Sequence, residues 1–132
     1  VISTDFYPTI RDLAGVKQKP KQHNAGVSLV GVMKDKEGYD RQLFWHYPHY
    51  SNPGGFPGGA VRDGDWKLVE RYEDGRVHLY NLADDIGERN DVAAEHPDRV
   101  KHLRECLHAW YAEVDAKFLQ PKTLDGPKPW RP

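Results

Sequence analysis

A chain of 132 residues, 30% charged and 38% hydrophobic with a mean hydropathy of −0.82, makes one domain at most, or part of one. Its 19 basic and 20 acidic side chains nearly cancel, to a net charge of −1, which sets aside nucleic acid and membrane as partners. Four Trp, seven Tyr and four Phe argue against disorder, and the single Cys106 excludes an intrachain disulfide.

No signal peptide or transmembrane run is visible. The opening VISTDFYPTI carries no initiator Met and reads as the middle of a longer polypeptide. Ser3, Thr4 and Asp5 are N-cap residues, and Pro8 suits a first turn. Phe6, Ile10 and Leu13 recur at helical spacing, with Gly15 placed to close the helix. The expectation is a helix over about residues 4–14. Residues 16–26 form a polar linker. Residues 27–34 (VSLVGVMK) read as one or two helical turns, with a strand as the alternative. Residues 35–41 form a charged loop.

Residues 42–47 (QLFWHY) read as a strand, followed over 48–59 by a loop with three prolines and four glycines. Loops of this length inside compact domains are functional or disordered. Residues 59–82 then carry two turn signals. Asp74-Gly75 predicts a two-residue type I′ hairpin that sets Tyr72 opposite Val77 and Glu70 opposite Leu79. The other turn is Asp63-Gly64 or Gly64-Asp65; both leave Val61 and Arg62 on the same faces. The result is a three-stranded antiparallel meander. One face holds Val61, Trp66, Leu68, Glu70, Tyr72, Val77 and Leu79, and is mostly apolar. The other holds Arg62, Lys67, Val69, Arg71, His78 and Tyr80.

A lone meander of this size is marginal, so its apolar face needs a cover. After a connector over 82–90 and a possible helical turn over 91–95, Pro97 at the first position and Asp98 in the first turn open the best helix of the chain. Val100, Leu103, Leu107, Trp110, Tyr111, Val114 and Phe118 make one apolar stripe along residues 97–118, roughly 33 Å at ~1.5 Å per residue. Residues 120–132 form an extended tail, with Trp130 able to dock it.

Four groups could carry chemistry. His46 and His49, in Trp45-His46-Tyr47-Pro48-His49-Tyr50, pair imidazoles with aromatic walls at a strand-to-loop junction. Such a cluster suits anionic or hydroxylated ligands, against the plainer reading of two surface histidines. As zinc ligands the pair lacks a third and fourth partner. Arg62, Lys67, Arg71 and His78 could hold an anion, against a solvated face paired with neighbouring acids. Cys106 reads as structural, since a reactive thiol needs an activating environment. Asp63, Asp65, Asp84 and Asp85 are accounted for by turns. Motif physics alone gives an α+β domain and no reaction.

Five segments, in order, resemble the C-terminal portion of a sulfatase of the arylsulfatase, or alkaline-phosphatase-like, superfamily. Ser3-Thr4-Asp5-Phe6-Tyr7-Pro8-Thr9-Ile10 with Asp12-Leu13-Ala14-Gly15 resembles the family's S-x-D-Φ-Y-P-T-Φ…D-L-A-G helix, where Φ is apolar. Gly26-Val27-Ser28-Leu29 matches its D-G-x-S-L segment, with Ala25 in place of Asp. Residues 43–50 resemble its aromatic strand and loop. Ala60-Val61-Arg62-Asp63-Gly64-Asp65-Trp66-Lys67-Leu68 resembles A-Φ-R-x-G-D-W/Y-K-L. Leu79-Tyr80-Asn81-Leu82 through Asp85, Gly87, Glu88, Asn90 and Asp91 resembles L-Y-(D/N)-L-x-x-D-P-G-E-x-x-N-L, with Ile86 in place of Pro.

The resemblance implies an α+β fold: a small antiparallel sheet of about four strands, with 42–47 as the fourth, packed by a long C-terminal helix. The preceding helix would belong to the end of a missing α/β catalytic domain. Residues 1–38 would close that large domain and its linker, 39–119 would form the C-terminal subdomain, and 120–132 the tail. It implies sulfate-ester hydrolysis by the parent enzyme with a formylglycine and Ca²⁺. The formylglycine motif C/S-x-P-x-R is absent here: Cys106 is followed by Leu-His-Ala-Trp, and Ser51-Asn52-Pro53 by Gly-Gly. Catalytic residues and metal ligands are therefore expected upstream, and none in this segment. His46, Tyr47, His49 and Tyr50 are the expected substrate-binding residues. The partners implied are the upstream catalytic domain and a sulfated small molecule or glycan. Many relatives of the family are exported or lysosomal. The alternative is a non-catalytic module with the same fold that binds anions or glycans.

Overall fold

The computed structural model describes residues 1–17, 25–34, 38–51, 54–120 and 132. The expected tail with Trp130, and parts of the linker, the charged loop and the Gly/Pro loop, lie outside the described residues. The fold is α+β, as expected, and divides into two compact units, Val1–Asp40 and Arg41–Pro132.

In the first unit a 3-10 turn, Ser3–Asp5, runs directly into α1, Phe6–Leu13. The polar side of this helix grips the segment that follows it. The buried Asp5 carboxylate accepts from the Ile2 amide at 2.9 Å and the Val27 amide at 3.1 Å. Thr9 donates to the Asp5 carbonyl at 2.6 Å and accepts from the Leu29 amide at 2.9 Å. Ser28 donates to Asp12 at 2.7 Å. Gly26 passes so close to Thr4 that a Cβ there would lie 2.1 Å from the Thr4 carbonyl oxygen. The motif residues Asp5, Thr9, Gly26 and Ser28 thus form a backbone clasp. Residues 27–34 resolve to a single helical turn, α2, Val30–Met33. The apolar side of α1 faces outward: Phe6, Ile10 and Leu13 are each about three-fifths exposed.

The second unit is a four-stranded antiparallel sheet in the order β1 (Leu43–Tyr47), β2 (Gly58–Asp63), β3 (Trp66–Arg71) and β4 (Val77–Asn81), followed by α3 (Pro97–Glu113). The β2–β3 loop is Gly64-Asp65, since Asp63 pairs with Trp66 and Val61 with Leu68. Val61, Leu68 and Leu79 form the buried floor, and Leu103, Leu107 and Tyr111 of α3 close over it. Phe44 stacks on Trp110 with ring centroids 5.1 Å apart.

Two expectations are corrected. The β3–β4 register is offset by two residues: Glu70 pairs with Val77 and Leu68 with Leu79. The two-residue Asp74-Gly75 turn gives way to a four-residue loop, 72–75, closed by the Arg71 amide on the Arg76 carbonyl and the Gly75 amide on the Arg71 carbonyl, both at 2.9 Å. Type I′ needs positive φ at both centres; only Gly75 has it, at +72°. Asp74 instead uses its side chain to accept from the Arg76 amide. Tyr72 leaves the ladder, donates its amide to the Pro57 carbonyl, and buries its ring under α3. Because side chains alternate with a period of two, a two-residue offset keeps every face assignment.

The helix also ends early, at Glu113 rather than Phe118. Asp115 adopts φ +50°, the Asp115 amide bonds Ala112, and the Ala116 amide reaches back to the Tyr111 carbonyl at 2.9 Å, a Schellman closure. The chain then folds back. Phe118 reaches the core from beyond the helix, 5.1 Å from both Tyr72 and Tyr111, while Val114 is exposed.

Glu70 is fully buried on the apolar face, and α3 answers it. Arg104 donates to Oε1 at 2.8 Å, and His108 Nε2 lies 3.0 Å from both oxygens. Stranding a buried charge costs more than neutralising it. Arg104→Ala is therefore expected to lower unfolding stability by about 2–4 kcal/mol in urea titrations, with Glu70→Gln costing clearly less.

Candidate functional site

His46 is the penultimate paired residue of β1, on the face that α3 covers. Its partner across the ladder is Gly59. A Cβ at Gly59 would lie 1.9 Å from the Tyr111 hydroxyl and 2.5 Å from that of Tyr72. The glycine therefore makes the gap in which three polar aromatic side chains meet. His46 Nδ1 lies 2.6 Å from the Tyr72 hydroxyl, and Tyr72 and Tyr111 share a hydrogen bond of 2.9 Å. His46 Nε2 lies 2.9 Å from the Lys117 carbonyl.

The carbonyl fixes the proton order. A carbonyl only accepts, so His46 Nε2 carries hydrogen and donates to it. In neutral imidazole Nδ1 is then an acceptor, which Tyr72 fills, leaving Tyr111 to donate to Tyr72. Burial pushes both phenols well above the usual tyrosine range, and donation to Tyr72 adds to this for Tyr111. The rings of Tyr72, Tyr111 and Phe118 surround the imidazole with centroids 5.2–5.6 Å away. His46 thus joins β1 to the segment that returns after α3.

The other expected site residues face outward. Tyr47, His49 and Tyr50 are exposed, and Tyr47 and His49 meet edge to face at 5.5 Å. Tyr50 donates to Glu73 at 3.2 Å. Partial desolvation and the Glu73 carboxylate raise its phenol above the ordinary value, so it stays a donor. The structure thus separates the pair: His46 is committed inside, and His49 stands among aromatics at the surface.

The basic face is largely neutralised by its own surroundings. Lys67 pairs with Glu88 at 2.6 Å, Arg71 with Glu73 at 2.6 Å, and His78 with Asp91 at 2.9 Å; Arg62 donates to the Gly64 carbonyl. Arg71 also lies over the Phe56 ring, 4.4 Å from its centroid. Cys106, half-buried on α3, has Gln42 Nε2 at 3.5 Å and His102 at 3.9 Å. The turn acids act as turns: Asp85 accepts from the Arg89 and Asn90 amides, and Asp84 from Asn81. Among the described residues no three His, Cys, Asp or Glu side chains converge to hold a metal, and no helix is long and apolar enough to cross a membrane.

Sequence reasoning missed the Glu70–Arg104–His108 cluster and the Tyr72–Tyr111 contact. A signal existed for the first: an acid on an apolar strand face, with Arg and His spaced i, i+4 on the helix that covers it.

Asp91 docks the connector on β4. Its Oδ1 accepts from the Leu79 and Ala93 amides and its Oδ2 meets His78. Burial would raise its pKa, but these bonds outweigh it and hold the carboxyl below its ordinary value. A depressed acid stabilises the fold above the unfolded carboxylate range and loses that contribution as pH falls through the folded value. Stability measured from about pH 5 downward should therefore fall less steeply in Asp91→Asn than in the parent. The Gly59 gap gives a second test. Gly59→Ala should lose about 1–3 kcal/mol from overpacking, and Tyr111→Phe in the same chain, which removes the clashing hydroxyl, should recover part of it in thermal unfolding.

Comparison with known proteins finds sulfatases. Residues 1–116 match the family model described as N-sulphoglucosamine sulphohydrolase, C-terminal. A sulfatase of Formosa agariphila is 34% identical over 131 residues, covering 88% of this chain and 24% of its own. Arylsulfatase K of Mus musculus is 28% identical, with 88% of this chain and 22% of its own covered. A solved structure in complex with its substrate D-glucosamine-2-N,6-O-disulfate aligns at a TM-score of 0.66 and 27% identity, covering 84% of this chain and 24% of that one. The chain spans about a quarter of the length of these relatives.

Proposed function

Because the chain belongs to the N-sulphoglucosamine sulphohydrolase C-terminal family of sulfatases, we propose that it completes the fold of a sulfatase and supplies one wall of its substrate pocket. Hydrolysis itself would fall to an upstream catalytic domain. The observation that carries the reading is the surface cluster Tyr47, His49 and Tyr50, displayed at the end of a strand that His46 locks from behind.

The arrangement fits a sulfated saccharide. Tyr47 offers an aromatic face to a sugar ring, and His49 and the Tyr50 hydroxyl offer hydrogen bonds to hydroxyls or sulfate oxygens. The substrate class we propose is a sulfated glucosamine saccharide. It rests on the family match and on the aligned structure bound to a disulfated glucosamine. His46 positions the cluster and has no ring nitrogen left for a ligand in this arrangement.

The sulfatase reading implies a formylglycine and Ca²⁺ in the whole enzyme. The residues described here do not fit either group: no acidic cluster converges, and Cys106 lies between Gln42 and His102 on a helix. The outward apolar side of α1 supports assigning residues 1–38 to the edge of the large domain, which would cover Phe6, Ile10 and Leu13. The alternative of an independent anion-binding module gains little support, since Lys67, Arg71 and His78 already pair with acids.

The test is kinetic. In the full-length protein acting on a sulfated glucosamine substrate, His49→Ala and Tyr47→Ala should lower kcat/KM by about 10–100-fold with unchanged melting temperature. His46→Ala should lower the melting temperature as well. Unchanged kcat/KM in both surface variants would refute the pocket-wall reading.

A further inference from the structure

The face of the sheet turned away from α3 carries an open trough of about 370 Å³, lined by Trp45, Phe56, Gly58, Ala60, Lys67 and Glu88 among others. We infer that this trough is a binding site for an uncharged pyranose ring, stacked on Trp45 and hydrogen-bonded by the Lys67–Glu88 pair. The inference stands apart from sulfate hydrolysis: it requires neither a sulfate group nor a catalytic domain.

Strand register builds the site. Trp45 pairs with Ala60, and Ala60 with Val69, so these three stand in one row across the outer face. Rows are ~4.8 Å apart from strand to strand. The indole rises at the edge and is 40% exposed, whereas its neighbours on β2, Gly58 and Ala60, are among the smallest residues available. A tall aromatic wall therefore overlooks a low floor. Phe56 borders the trough, with the Arg71 guanidinium over its ring.

Lys67 and Glu88 supply the polar boundary, joined at 2.6 Å. The ammonium has three hydrogens and the carboxylate about four acceptor sites. One mutual bond leaves donors and acceptors over, while the charges cancel. This boundary recognises hydroxyls, which both give and take hydrogen bonds. It offers no net charge to a sulfate, a phosphate or a carboxylate. Glu88 is held in place by its neighbours: its backbone has φ +53°, and on either side Asp85 accepts from the Arg89 and Asn90 amides while Asp91 accepts from the Leu79 amide. A pyranose joins an apolar C–H face to a rim of hydroxyls, the chemistry these walls complement.

The experiment uses the full-length protein with ¹⁵N-labelled tryptophan, alanine and valine, with the indole N–H resonances followed during titration. The probes are the methyl β-glycosides of glucose, galactose and N-acetylglucosamine. At least one should shift the Trp45 resonance saturably with a millimolar Kd, leaving Trp66 and Trp110 in place. Phe56→Ala and Glu88→Gln should each weaken that binding by about tenfold. Trp45→Ala should abolish it, read from the backbone amide resonances of Ala60 and Val69 because the indole reporter is then gone, and Trp45→Leu stands in if the alanine variant does not fold. No Trp45 shift with any of the three glycosides, or equal affinity in the Phe56 and Glu88 variants, would overturn the inference. Because no probe carries sulfate, that failure would leave the pocket-wall reading untouched.

Discussion

The second unit depends on the contact of Tyr111 with the sheet across Gly59. Without a side chain at that point, the Tyr111 hydroxyl can enter the ladder's surface, meet Tyr72, and through it reach His46. One gap thereby ties together four parts of the chain: β1, β2, the 72–75 loop and α3. The Lys117 carbonyl adds a fifth, the segment returning after the helix. Hydrogen bonds of this kind contribute modestly each, but leaving any buried partner unmet is costly, so the set is held as a unit.

The same contact divides labour between two histidines three residues apart. His46 is turned inward by strand alternation and its nitrogens are committed to Tyr72 and Lys117. His49 lies past Pro48, outside the ladder, beside Tyr47. A rigid strand end carrying an exposed aromatic and an exposed imidazole is a sound way to present a recognition surface, because little conformational entropy remains to be lost on binding. The outer face adds Trp45 above a glycine-alanine floor. Trp45 and Tyr47, two residues apart on β1, share that outer face, and in the reading proposed above one meets an uncharged saccharide and the other a sulfated one.

Much of this fold could be read from the residues because each local preference agreed with the global one. Alternation over 66–72 gave the buried face, and the stripe from Val100 to Tyr111 gave its cover. Asp74-Gly75 marked a turn, yet its length was set elsewhere, by the burial of Tyr72. The helix end at Glu113 was hidden because the left-handed residue is Asp115 and because Phe118 keeps helical spacing while reaching the core by another route. The histidine cluster was legible as composition. Its division into an inner and an outer residue was not, since that rests on Tyr111, separated from His46 by more than sixty residues. On α1, spacing identified the apolar side correctly, but only the structure shows Asp5 and Thr9 holding the inner side.

The central claim is that the loop after β1 meets substrate while His46 only holds it in place. Imidazole Cε1–H resonances in the full-length protein, followed during titration with a non-hydrolysable sulfated glucosamine analogue, test it most directly. The account predicts a saturable shift at His49 and none at His46. A shift at His46 with His49 silent would contradict it.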